Sequence, residues 1–166
     1  MIQLCSLAFL LATMTGFTSC ADDDPVTEQH QPDIGGSDDN NNEEMGTTDI
    51  LNIRIGNQTF TVTLADNETA KAFVALLPMT LTMNELNGNE KYYYLTDNLP
   101  VNASRPGTIH GGDLMLYGSN CLVLFYETFS SSYSYTRIGS VNNSAGLAEA
   151  VGSGNVNVTF ELTTKE

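Results

Sequence analysis

From Ile50 onward the sequence alternates apolar and polar residues in short runs, broken at close intervals by turn residues. That period of two limits the fold more than any other feature, because it is the signature of half-buried strands. Ile50-Leu51-Asn52-Ile53-Arg54-Ile55 and Thr59-Phe60-Thr61-Val62-Thr63-Leu64 flank Gly56-Asn57-Gln58, which reads as a hairpin turn. Leu81, Met83 and Leu86 suggest a third strand, and Asn87-Gly88-Asn89 turns into a fourth over Lys91 to Leu95. A loop from Thr96 to Gly112 with two prolines follows. Further strands are expected over Asp113 to Tyr117, Leu122 to Thr128, Tyr133 to Val141 and Val156 to Leu162. Two segments depart from this period. Asp66-Asn67-Glu68-Thr69 offers an N-cap and first-turn acids to a helix over Ala70 to Leu77, ended by Pro78. Ser144 to Val151 reads as a second short helix, stopped by Gly152. Eight strands in hairpins with two helices point to a mainly β fold, a closed antiparallel barrel capped by the helices, with a sandwich as the alternative.

The chain before Ile50 has a different composition. Residues 21 to 49 hold 10 acidic and no basic residues and almost no large apolar ones. Such a segment cannot bury enough surface to offset its ordering entropy, so a disordered tether is expected over 20–49. Residues 50 to 166 hold another 10 acids against 6 Lys plus Arg, so most of the formal charge of −14 belongs to the tether. An acidic chain repels nucleic acid and anionic headgroups, and no nucleic-acid partner is expected.

The first residues read as a targeting signal, 1–19. Leu4 to Met14 is apolar but too short to span a bilayer. Phe17-Thr18-Ser19-Cys20 resembles a bacterial lipoprotein signal box, which implies a diacylglycerol on the Cys20 sulfur and a membrane attachment through that lipid. Residues 1 to 19 lack the Lys or Arg of an ordinary positive n-region. Asp22-Asp23-Asp24 resembles the acidic export signals of surface lipoproteins in the Bacteroidetes, with a solvated spacer as the plainer reading. The expected location is thus the bacterial cell envelope, as an outer-membrane lipoprotein, facing the surface if that acidic signal operates. With Cys5 removed and Cys20 lipidated, Cys121 remains as one thiol at the head of an apolar run. It reads as a buried structural thiol, and no spacing suggests a disulfide or a zinc site.

Residues 50–166 are expected to form the folded domain, and its candidate chemistry is sparse. Gly111-Gly112-Asp113 suits a tight corner before a strand. His110, the one histidine of the folded part, reads as a surface residue beside that corner, with Asp113 pointing elsewhere if a strand begins there. Arg137 alternates with apolar neighbours, so it faces solvent, pairs with a carboxylate, or enters a ligand groove. Tyr92-Tyr93-Tyr94 and Tyr126, Phe129, Tyr133 and Tyr135 concentrate aromatic rings in two places. Outward-facing tyrosines can line a peptide-binding surface or pack along strand edges. Neither a cofactor nor a metal is called for.

Four strings covering most of 53–161 resemble the bacterial cyclophilin-like domain family: "IGNQTFTVTLADNETAKAFVALLPMTLTM", "NEKYYYLTDNLP", "GTIHGGDLMLYGSNCLVLFYE" and "YTRIGSVNNSAGLAEAVGSGNVNVTFE". The resemblance implies an eight-stranded barrel with two capping helices. True cyclophilins catalyse peptidyl-prolyl cis/trans isomerisation against a barrier of about 18–20 kcal/mol. They use an apolar pocket and an arginine at the prolyl nitrogen, carried in a Phe-His-Arg string that precedes Gln-Gly-Gly-Asp. Here His110-Gly111-Gly112-Asp113 answers to the second string, but no Phe-His-Arg precedes it, and the nearest upstream arginine is Arg105 in a loop. The chain also has no Trp. The expectation is therefore a lipid-anchored, non-catalytic module binding a proline-containing peptide or small ligand through His110, Tyr126 and Arg137. The alternatives are an extracytoplasmic prolyl isomerase using Arg105 or Arg137, and a structural envelope lipoprotein without a small ligand.

Overall fold

A computed structural model describes residues 49–164. The signal, the tether and Cys20 lie outside the described residues. Along the chain run β1 (Asp49–Ile55), β2 (Gln58–Leu64), α1 (Glu68–Val74), β3 (Met79–Leu86), β4 (Glu90–Tyr94) and β5 (Gly107–Ile109). β6 (Asp113–Tyr117), β7 (Cys121–Phe125), β8 (Phe129–Ser131), β9 (Thr136–Val141), α2 (Leu147–Val151) and β10 (Val156–Thr164) follow. Eight strands close into an antiparallel barrel in the order β1-β10-β3-β4-β7-β6-β9-β2, and β5 and β8 pair separately as a two-stranded arm. The closed barrel leaves no edge among its eight strands, and its interior is filled by side chains.

The interior takes alternate residues of every strand: Leu51, Ile53 and Ile55 from β1, Leu114 and Leu116 from β6, Leu122 and Leu124 from β7, Val158 and Phe160 from β10. The helices follow β2 and β9, which run antiparallel, and so sit at opposite ends. Each drives apolar residues into the same core, Ala70 and Phe73 from α1 and Leu147 and Val151 from α2. The Phe73 ring meets Phe160 edge-on at 5.6 Å.

Local chemistry sets the boundaries. Asn67 caps α1, accepting from the Ala70 amide at 2.8 Å, while its own amide group donates to the Arg137 carbonyl at 2.9 Å. The helix ends at Val74, earlier than the expected Leu77, because Leu76 and Leu77 bond back to Phe73 and Val74 in tighter turns. The strand expected to reach Thr128 stops at Phe125, since the Tyr126 and Glu127 amides both turn to the Asn89 carbonyl. Tyr135 bridges to Ser104 before β9 begins. The expected loop from Thr96 to Gly112 contains β5, whose three residues pair with β8 across some twenty positions of sequence. A pairing so short and non-local leaves no periodic trace.

The β6–β9 register slips between Leu114 and Met115, which face Gly139 and Arg137, so Ile138 is the extra residue of a bulge. Here β9 runs so close to β2 that a Cβ on Gly139 would lie 2.7 Å from the Thr63 carbonyl oxygen. Only glycine fits this contact.

Candidate functional site

β7, and β6 up to Leu116, are buried on both faces, which explains why they read as continuous apolar runs, whereas β4 beside them is buried only at Glu90 and Lys91. Their outward residues form cross-strand rows: Tyr94–Cys121–Tyr117, then Tyr92–Val123–Met115, then Glu90–Phe125. The arm folds over part of this face. Ile109, Phe129 and Tyr135 make a second small core on it with Met115 and Phe125, the Phe125 ring lying 5.7 Å from Phe129 and 5.5 Å from Tyr135.

Beside the arm the face stays open as a hollow of about 300 Å³ along β4. Tyr92, Tyr94, Tyr117, Tyr133 and Tyr135 wall it, and Leu86, Asn87, Glu90, Cys121 and Val123 complete the lining. Five of the chain's seven tyrosines thus gather in one place. They brace one another through edge and tilted contacts, Tyr92 with Tyr94 at 5.7 Å and Tyr117 with Tyr133 at 6.1 Å and with Tyr135 at 5.5 Å. None of the lining residues is Lys, Arg or His.

Glu90 is 9 % exposed, and no hydrogen bond or ion pair holds its carboxyl group among the described residues. Burial, aided by the like charge of Glu85, raises its pKa above the usual carboxylate range. Burial likewise raises the Cys121 thiol, so this cysteine is a protonated, weakly reactive part of the floor.

Behind this face, near α2, the polar groups are partnered. The Lys91 ammonium is fully buried and donates to the Glu85 carboxylate and to the carbonyls of Gly152 and Gly154, at 2.7 and 2.6 Å. Tyr126 donates to the other Glu85 oxygen at 2.8 Å, and its ring lies 5.3 Å from the ammonium. Burial and that hydrogen bond push the Tyr126 hydroxyl up to about 12. Burial opposes ionisation of Glu85, yet bonds from Lys91, Tyr126 and the Gly88 amide leave its pKa below the usual range.

The Gly-Gly-Asp string is a corner. A Cβ on Gly111 would lie 3.0 Å from the Tyr126 carbonyl oxygen, and Gly112 has a φ of +103° while donating to the Phe125 carbonyl at 2.7 Å. The buried Asp113 carboxylate turns back toward the corner, accepting from the His110 amide at 2.9 Å and from Arg137 Nη1 at 2.8 Å. The His110 ring remains exposed, its Nδ1 3.8 Å from Asp113. Arg137 therefore has its carboxylate partner. Arg105 sits in the exposed loop just after the Ser104–Tyr135 bridge. None of His110, Tyr126, Arg105 and Arg137 lines the tyrosine hollow; Tyr126 borders a separate, open groove with Glu85, Glu127 and Glu149.

The sequence model of the cyclophilin-like family matches residues 53–161, the whole barrel except its outermost strand ends. The chain belongs to the cyclophilin-like family. The barrel is similar to the solution structure of a hypothetical protein from Archaeoglobus fulgidus, at a TM-score of 0.54 and 22% identity, over 71% of this chain and 97% of that one. This likeness concerns the fold. No curated protein matches the chain. Within the cyclophilin-like barrel, sequence reasoning picked out the aromatic groups at Tyr92-Tyr93-Tyr94 and at Tyr126, Phe129, Tyr133 and Tyr135 without saying which rings face outward, and it assigned no ligand role to Glu90, Tyr117 or Cys121. Glu90 shares the parity of Tyr92 and Tyr94, and that parity was the signal available.

Proposed function

We propose that this cyclophilin-like barrel is a binding module whose ligand sits in the tyrosine hollow and is held there without covalent or isomerising chemistry. The observation that carries the reading is the composition of the hollow: five tyrosine side chains and a carboxyl group unpartnered among the described residues, with neither Arg105 nor Arg137 lining it. Prolyl isomerisation in true cyclophilins depends on a guanidinium at the prolyl nitrogen, where a hydrogen bond weakens the amide conjugation. The hollow offers aromatic surface and hydroxyls to a peptide or small ligand instead, in a volume at the lower end for ligand sites. The module is carried on the acidic tether of residues 20–49 and held to the bacterial envelope by lipid on Cys20, consistent with the signal box that precedes it.

The two parts have separate tests. Exchange NMR on an Xaa-Pro peptide with substoichiometric full-length protein is expected to show no acceleration of cis/trans exchange. Acceleration that disappears with Arg105→Ala or Arg137→Ala would make the protein an isomerase. For the anchor, Cys20→Ser should move the protein from the membrane to the soluble fraction, and unchanged membrane retention would sink the lipid.

A further inference from the structure

Deepening the reading of the hollow as the binding site, we infer that its ligand is an organic cation: an ammonium group lodged among the tyrosine rings and paired with Glu90. Three observations converge on this. Tyr92, Tyr94, Tyr117, Tyr133 and Tyr135 all line the hollow, in two groups of touching rings, Tyr92 with Tyr94 and Tyr117 with Tyr133 and Tyr135. Ring faces carry negative potential and attract a cation within about 6 Å of their centroids, most strongly where water is excluded. Second, Glu90 is nine-tenths buried and lines the same hollow, its carboxyl group unpartnered among the described residues.

Third, no cation among the described residues lines the hollow, and four of them are paired elsewhere. Lys91 neighbours Glu90 in sequence, but β4 turns its side chain to the opposite face, where Glu85 and two carbonyls take it up. Arg137 is taken by Asp113, Lys71 by Glu68 and Arg54 by Glu161. The charge that acts on Glu90 is that of Glu85, of like sign. A buried carboxylate beside a like charge, with no cation in the lining around it, is costly alone and becomes favourable when a cation enters. A proline ring or neutral aliphatic ligand would satisfy the tyrosines and leave Glu90 as it is.

The shared chemistry is that of a free alkylammonium compound and of a lysyl side chain on a peptide. Tetramethylammonium is the first probe, read by chemical-shift titration of the tyrosine ring signals in the full-length protein. Saturable shifts at Tyr92, Tyr94, Tyr117, Tyr133 and Tyr135 are expected. The neutral tert-butyl isostere of choline, 3,3-dimethyl-1-butanol, should bind about tenfold or more weakly than choline, the ratio expected for losing a charge held by rings and a carboxylate. Glu90→Gln should weaken choline by a similar factor and leave the alcohol unaffected. Tyr133→Leu, at a side chain exposed enough for folding to be indifferent, should weaken choline several-fold. Choline and N-acetyl-lysine methylamide then separate the sources, the tighter one naming whether the cation is free or lysyl. Equal binding of choline and its neutral isostere would overturn the inference. A proline peptide that binds in the hollow when no ammonium probe does would overturn it too, while sparing the hollow as a binding site. If neither proline peptide nor cation perturbs the tyrosines, both readings fall together.

Discussion

Glu85 and Glu90 stand five residues apart on one hairpin, and the protein treats them in opposite ways. Glu85 receives bonds from a buried lysine, a tyrosine and a backbone amide, and its pKa lies below the usual range. Glu90 is more deeply buried, receives none of these, and its pKa lies above that range. The first arrangement is complete: Lys91 ties the loop after α2 to the β3–β4 hairpin, and every strong group in it has a partner. The second is incomplete in the way a binding site is before its ligand arrives. A saturated polar cluster stabilises the fold, whereas an unsaturated one set in a hollow marks where chemistry from outside can enter.

The largest expected effect breaks the complete region. Glu85→Ala leaves the Lys91 ammonium buried against two carbonyls, and removing one partner of a buried pair costs about 3 kcal/mol, readable as a lowered urea midpoint. Next, Gly139→Ala forces a methyl group against the Thr63 carbonyl and should cost about 2 kcal/mol, marking the bulge on β9 as scaffold. Asp113→Asn keeps an acceptor for the His110 amide but loses the charge facing the half-exposed Arg137, a change of about 1 kcal/mol. That variant should leave ring shifts in the hollow untouched, because Asp113 belongs to the corner.

The smallest effect has the opposite sign. Glu90→Gln removes a desolvated carboxyl group with no partner to orphan, so at neutral pH stability should hold or rise by no more than about 1 kcal/mol. The pH dependences also oppose each other. A raised folded pKa means that Glu90 holds its proton more tightly in the folded chain, so its favourable contribution exists at acid pH. It is lost as pH climbs from the ordinary glutamate value through the raised one. Glu85, with a lowered pKa, contributes above the ordinary value and loses that contribution as pH falls through its own. Destabilisation by Glu90→Gln at neutral pH would mean that Glu90 has a structural partner after all, and the contrast would collapse.

Much of the barrel could be read from the sequence because period-two alternation is a local property. Gly56-Asn57 and Asn87-Gly88-Asn89 do form the hairpin loops expected of them, and the eight strands and two helices fall close to where the pattern puts them. The arm escaped, since Gly107–Ile109 is apolar at one position only and finds Phe129–Ser131 by tertiary contact. The Gly111-Gly112-Asp113 corner was legible because glycine and aspartate have narrow uses in turns, yet Asp113 reaching back to His110 and Arg137 was not. The hollow was half legible. Its tyrosines announce themselves by number, but Glu90 looks like any polar residue beside a turn until strand parity and cross-strand rows place it beneath them.

Carboxyl ¹³C NMR of the glutamates across an acid titration tests the contrast most directly. The account predicts that Glu85 titrates below the ordinary glutamate range and Glu90 above it in the free protein. If both titrate together at the ordinary value, or Glu90 loses its proton first, then Glu90 is not an unpartnered buried carboxyl group, and the hollow loses the feature that marks it as a site.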